Sequence, residues 1–197
     1  MTADFGTFLR LFGETLKDPA AMARRIKALR WPHVVSWMAL ASITALSVIA
    51  IHLEGMLPGQ PELAIIGGRP FVDAVLLGAL TVILIFVLYW AGRAIGGTGT
   101  FGSTLLVMTW FQAVVLVMIA IQLIATLIMP GLSGFVALIA VVLQIYCLMH
   151  FLNELHDFDS LWKAAGLFIL SVFGFAFGIT LIVLLIGGAS AVTGGAV

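Results

Sequence analysis

The sequence predicts an all-α membrane protein: a polytopic bundle of five transmembrane helices preceded by short amphipathic interfacial helices. Three observations carry this prediction. The 197 residues are 62% hydrophobic and only 9% charged, whereas a soluble domain has about a quarter of its residues charged to solvate its surface. Five continuous apolar segments each approach the ~20 residues that a helix needs to cross the hydrocarbon core. The basic residues are also distributed unevenly about those segments. Continuous runs, rather than short alternating ones, favour helices over a β-barrel.

Residues 1–33 form a charged preamble, expected to be a cytoplasmic amphipathic segment. Phe5, Phe8, Leu9, Phe12 and Leu16 recur at helical spacing, with Arg10, Glu14 and Lys17 on the other side. Asp18-Pro19 reads as an N-cap followed by proline in the first turn of a second short helix. On that helix Met22, Ile26 and Leu29 share a face, flanked by Arg24, Arg25, Lys27 and Arg30. Two such helices ahead of a span are expected to lie among lipid headgroups. Phe5, Phe8, Phe12, Arg24, Arg25, Lys27 and Arg30 are therefore candidate lipid contacts, and a partner protein is the other occupant that the same face could take. The preamble is too long and the first apolar segment too extended for a cleaved signal peptide, so the first span is expected to be retained.

The membrane domain is expected over residues 34–186, with spans at 34–53, 71–91, 104–128, 133–152 and 162–186. Turn chemistry separates them: Pro58-Gly59-Gln60-Pro61 and Gly67-Gly68-Arg69-Pro70, then Gly96-Gly97-Thr98-Gly99, then Pro130-Gly131, then a polar run at 153–160. Away from their ends the spans carry no Asp, Glu, Lys or Arg. The expected absence of a buried carboxylate or lysine argues against a proton- or ion-coupled pump. Residues 187–197 read as a short Gly-rich external tail. Arg10, Lys17, Arg24, Arg25, Lys27, Arg30, Arg93 and Lys163 fall on one set of alternate flanks and only Arg69 on the other. This bias predicts a cytoplasmic N-terminus and an external C-terminus. Trp31, Trp37, Trp90 and Trp162 gather near the same predicted cytoplasmic ends.

Residues able to carry chemistry are few. Gln112, Gln122 and Gln144 are candidate intramembrane polar contacts, read first as interhelical hydrogen bonds worth about 1 kcal/mol each and second as the lining of a small-solute path. Gly92 with Gly96, and Gly174 with Gly178, have the spacing of close helix packing or of a homodimer face. Gly131-Leu132-Ser133-Gly134 resembles the GxSG motif of rhomboid intramembrane proteases. However, His150 lies on the same predicted helix, about 25 Å away at ~1.5 Å per residue, and a tight turn with serine as cap explains the tetrad more simply. His150 and Glu154 stand at i, i+4, a metal-binding spacing without an evident third ligand. Pairing of the acidic 153–159 run with the basic N-terminal helices is the better use of these charges. The lone Cys147 reads as a small buried apolar residue. No catalytic residue, cofactor, metal or nucleic-acid partner is expected.

Three groups of residues stand out together: Asp18-Pro19 with Arg24-Arg25; Gly92-Arg93 with Gly96-Gly97, Gly99 and Phe101; and Glu154-Leu155-His156 with Phe158 and Ser160. With these motifs and this plan, the chain resembles the bacterial members of the Yip (Ypt/Rab-interacting protein) membrane family over nearly its whole length. The resemblance marks Glu154, His156 and Phe158 as family-like motif residues. The bacterial members carry over no biochemical role. The shared plan, taken with the lack of ionisable groups inside the spans, leads to the expectation of a non-enzymatic, multi-pass protein of the bacterial inner membrane, a scaffold or organiser working through lipids and a membrane-protein partner or second copy. Eukaryotic members are linked to vesicle trafficking and small-GTPase binding. This chain has no long cytosolic N-terminal domain of their kind, so GTPase binding is not carried over. A small-solute transporter or channel is the alternative, and an intramembrane serine protease a remote one.

Overall fold

The computed structural model describes residues 5–29, 31–57 and 69–193. Among them all regular structure is helical. Two short helices, α1 (Phe5–Lys17) and α2 (Pro19–Ala28), precede five long ones: α3 (His33–Gly55), α4 (Pro70–Ala94), α5 (Phe101–Ile128), α6 (Ser133–His156) and α7 (Leu161–Thr193). A 3-10 turn, Pro130–Leu132, joins α5 to α6. The helices α3, α4, α5 and α6 are long and apolar enough to cross a bilayer, and α7 is apolar over Leu161–Phe177. The protein is thus a polytopic membrane helix bundle. α7 continues past Ile186, where a tail was expected, as far as Thr193; residues 194–197 lie outside the described residues.

The helix ends follow from local chemistry. Asp18 caps α2 by accepting from the Ala21 amide at 2.9 Å, with Pro19 in the first turn. Thr100 and Ser103 form a reciprocal capping box at the start of α5. α4 ends in a Schellman turn: Gly97 donates to the Gly92 carbonyl at 2.8 Å and Gly96 to that of Arg93 at 3.1 Å. Gly96 sits there at φ 90°, a left-handed conformation that glycine adopts without steric cost. The sequence pairs Gly96 with Gly92 for helix packing, but a Cβ at Gly96 would meet nothing within 4 Å. Its work is in the turn.

The long helices pack in a closed circuit, α3 on α5, α5 on α6, α6 on α7, α7 on α4 and α4 back on α3, with α4 also touching α5. Large apolar side chains cover the outside, among them Phe71, Phe135, Trp162 and Phe173. Such a surface is stable against lipid and not against water. The preamble is not laid out on its own. α2 packs on α5 and α6, and its Met22, Ala23 and Ile26 are buried in one cluster with Leu105, Leu106, Phe151 and Leu155. Periodicity alone reads this apolar face identically whether lipid or protein covers it; here the bundle covers it.

Candidate functional site at the docked end

The end of the bundle that carries α2, here the docked end, gathers most of the residues that the sequence motifs single out. His156, in the last turn of α6, is fully buried. Three glycines from the α4–α5 turn region wrap its ring. A Cβ at Gly92 would collide with the imidazole, one at Gly97 would come within 2.6 Å of Nδ1, and one at Gly99 within 2.9 Å. Any side chain at these positions would displace the ring. Phe158 stacks on the same ring, with centroids 5.4 Å apart. Neither ring nitrogen makes a hydrogen bond; the Leu88 carbonyl lies within electrostatic reach but outside hydrogen-bond geometry. His156 therefore acts here as a shaped plug between α6 and the α4–α5 turn, and the Thr98 amide bonds its carbonyl at 3.0 Å.

The next residue turns the chain. Asp157 adopts φ 52°, a left-handed conformation that Asp tolerates better than most residues with a Cβ. This turn lets the Phe158 amide reach back to the Asn153 carbonyl at 3.0 Å. It also places the Asp157 carboxylate where Lys27 of α2 donates to both oxygens, at 2.7 and 2.8 Å, and where the Thr98 hydroxyl donates at 2.5 Å. Burial would raise the Asp157 carboxyl, but the hydrogen bonds from Lys27 and Thr98 and the charge of Lys27 outweigh it, holding the group below its ordinary value. One turn earlier, Glu154 accepts from Arg24 at 2.5 Å, and its carbonyl accepts from Lys27 at 3.2 Å. The acidic run and the basic helix thus pair as their charges suggest.

Around this junction the remaining motif residues have packing and capping roles. Phe101 lies among His33 and Trp37 of α3 and Phe86 and Tyr89 of α4, with centroid distances of 4.9 to 6.3 Å. Ser160 starts α7, its hydroxyl accepting from the Trp162 amide at 3.2 Å. Arg93 lies over the Tyr89 ring. A cavity of about 430 Å³ opens beside the junction, lined by Lys27, His33, Thr98, Thr100, Ser103 and Asp157. The Lys27, Thr98, Thr100, Ser103 and Asp157 polar groups are already engaged with one another or with backbone.

The other candidates are dispersed. Arg25 pairs with Glu14 of α1 at 3.3 Å, Phe8 meets Trp110 of α5 edge-on with centroids 6.0 Å apart, and Phe12 is half-buried. Trp110, which the sequence reading passed over, also donates to Thr15 at 3.2 Å and so ties α1 to α5. Arg30 lies outside the described residues, as do the side chain of Phe5 and the surroundings of Gly178. Gly174 faces Val87 of α4, where a Cβ would stand 3.8 Å from the nearest methyl. Gln112 donates to Thr81 of α4 at 3.2 Å, Gln122 to the Ser133 carbonyl at 3.0 Å, and Gln144 is half-buried on α6. The Ser133 hydroxyl donates to the Pro130 carbonyl at 2.8 Å. Glu154 is held by Arg24, and no group of three metal-ligating side chains occurs among the described residues.

One expectation is corrected. Spans without a buried carboxylate were expected, yet Asp73, in the first turn of α4, is only 3% exposed. Its Oδ2 lies 3.1 Å from Nε2 of His52 in the last turn of α3. Asp73 stands at the very edge of its apolar segment, where a carboxylate ordinarily reads as solvated, and the packing of α3 against α4 buries it. The signal available in the sequence was a histidine and an aspartate flanking the same loop.

Comparison with known proteins bears on the motifs now located. Neither a curated protein nor a solved structure matches the chain. The family model described as the Yip1 domain matches residues 13–194, a stretch that takes in α2, the glycine turn, the His156 plug and all of α7. The chain belongs to the Yip1-domain family of membrane proteins.

Proposed function

We propose that this protein is a non-enzymatic scaffold or organiser of the bacterial inner membrane, with its N-terminus in the cytoplasm and its C-terminus outside. The observation that supports the reading is the use to which the motif residues are put. They join α2, the α4–α5 turn and the end of α6 into one platform. Its polar groups are spent on holding those elements together rather than converging on a reacting atom. Such a platform offers a shaped, mixed-charge face to a membrane-protein partner, to a second copy or to lipid headgroups. The test is affinity purification from native membranes in mild detergent, comparing the intact protein with a variant carrying Arg24→Glu and Lys27→Glu. The intact protein should bring down a defined partner or a second copy, and the variant should insert normally but lose it. Equal recovery from both would remove the platform from consideration.

A transporter or channel is kept as a second reading because of one feature inside the bundle. A cavity of about 170 Å³ between α3, α4 and α5 is lined partly by Thr44, Ser47, Thr81 and Gln112. This reading expects solute flux in proteoliposomes that Gln112→Leu reduces at least tenfold. Absence of flux over a broad solute panel counts against it.

A further inference from the structure

α4 ends and α7 begins at the docked end, and the two helices pack along one another. They do not close completely. A groove of about 470 Å³ runs between them, lined on α4 by Val87, Trp90 and Ala91 and on α7 by Leu170 and Gly174. Gly174 makes the gap: a Cβ there would have only a Val87 methyl within 4 Å, at 3.8 Å. The walls are apolar side chains on the outside of the bundle, where no water competes and an alkyl chain gains dispersion contacts by filling the space.

At its docked-end mouth the groove meets two cations. Lys163, Leu170 and Gly174 stand at i, i+7 and i+11 and share one face of α7. At ~1.5 Å per residue, Lys163 lies about 10 Å beyond Leu170 toward the docked end. On α4, Arg93 lies over the Tyr89 ring, whose centroid is 5.3 Å from that of Trp90. Arg24, Arg25 and Lys27 are matched by Glu154, Glu14 and Asp157. Among the described residues no carboxylate pairs with Arg93. Lys163 meets only Asp159, at 3.9 Å with both side chains exposed, a pair of little strength. Trp90 and Trp162 are exposed at the same end, where amphipathic rings mark the boundary between hydrocarbon and headgroups. An apolar helix would fill the groove but leave these cations without a counter-ion. A phospholipid with a negative headgroup does both.

We infer that the α4–α7 groove binds one anionic phospholipid, an acyl chain lying along Trp90, Leu170 and Gly174 and the headgroup phosphate held by Arg93 and Lys163. The site is separate from the α2 platform and does not depend on what that platform binds. The chain supplies the hold and the phosphate the selectivity: two basic side chains beside an anionic headgroup give a preference over a zwitterionic lipid of about tenfold or more.

The test is native mass spectrometry of the full chain, released from micelles that contain dioleoyl phosphatidylglycerol or dioleoyl phosphatidylcholine. One phosphatidylglycerol per chain should be retained, with the preference over phosphatidylcholine given above. Arg93→Gln with Lys163→Gln should abolish that preference, whereas Lys17→Gln, which removes an exposed charge on α1, should leave it intact. Gly174→Leu fills the groove and should lower retention severalfold; Leu170→Trp, which enlarges an already exposed side chain, narrows it independently and should do the same. Glycerol phosphate, a headgroup without chains, should displace nothing at equal concentration. Equal retention of the two lipids, a preference that survives the double charge variant or is lost in Lys17→Gln, retention unaltered in both filled grooves, or displacement by glycerol phosphate overturns the assignment. So does a dimer that Gly174→Leu breaks when no lipid preference is seen, which would give the groove to a second copy.

Discussion

Replacing Gly92 by alanine sets a helix-propensity gain of about 1 kcal/mol against a methyl driven into the His156 ring. Overpacking of this kind costs about 1–3 kcal/mol, so the collision wins. Gly92→Ala should lower the thermal unfolding midpoint in detergent. Adding His156→Ala should recover most of the loss, a coupling that a double-mutant cycle isolates. Gly166→Ala, where a Cβ meets nothing within 4 Å, should be neutral or mildly stabilising on the same measurement. The identities of Gly92, Gly97, Gly99 and His156 were legible in the sequence, but their meeting was not. His156 is more than fifty positions from each glycine, and only the packing of α6 beside the α4–α5 turn shows that small residues at one place accommodate a ring from the other. The same holds for His52 and Asp73, whose meeting depends on the packing of α3 against α4.

Two kinds of force hold α2 to the bundle, and their sizes decide which dominates. Lys27 and Asp157 have side chains 29% and 56% exposed, and pairs of such exposure contribute about 0–1 kcal/mol. Burying an Ile or Met side chain contributes about 1.5–3 kcal/mol. Ile26→Ala should therefore raise hydrogen exchange in α2 more than Lys27→Ala does. The ion pairs set where the helix lands: Lys27→Asp should loosen α2, and Lys27→Asp with Asp157→Lys should restore part of its protection. The charge contribution also depends on pH. Asp157 titrates below its unfolded value, so its contribution is complete above about pH 4 and is lost as the pH falls through the lower, folded value. Exchange of α2 amides should rise on acidification below that point, and Asp157→Asn should remove that part of the dependence. The Asp18-Pro19 cap and the complementarity of charge between preamble and acidic run were both readable beforehand. Which surface covered Met22, Ala23 and Ile26 was not, because an amphipathic period encodes a dry face without saying what dries it.

At the scale of the molecule, hydropathy alone located the apolar helices and identified a membrane bundle. Apolar runs are nearly uniform around each helix, however, and carry little information about neighbours. The circuit of packed helices could not be read from them. The proposed sidedness is checked by single cysteines and a membrane-impermeant thiol reagent. A cysteine at Asp159 should label only from the cytoplasmic side, and one at Ser190 only from outside. Labelling of both from the same side would give α7 no crossing and end the odd count of spans.

The circuit has a consequence for how the chain is made. Lys27 and Asp157 stand 130 positions apart, and synthesis proceeds at about 5–20 residues per second. α2 leaves the ribosome on the order of ten seconds before its landing place exists. During that interval its apolar face needs a temporary cover, for which the membrane surface or a chaperone is available. The circuit itself stays open until α7, translated after the other four long helices, seats against α4 and α6. In this order α2 waits for α6 to be made, and α7 closes the ring after it.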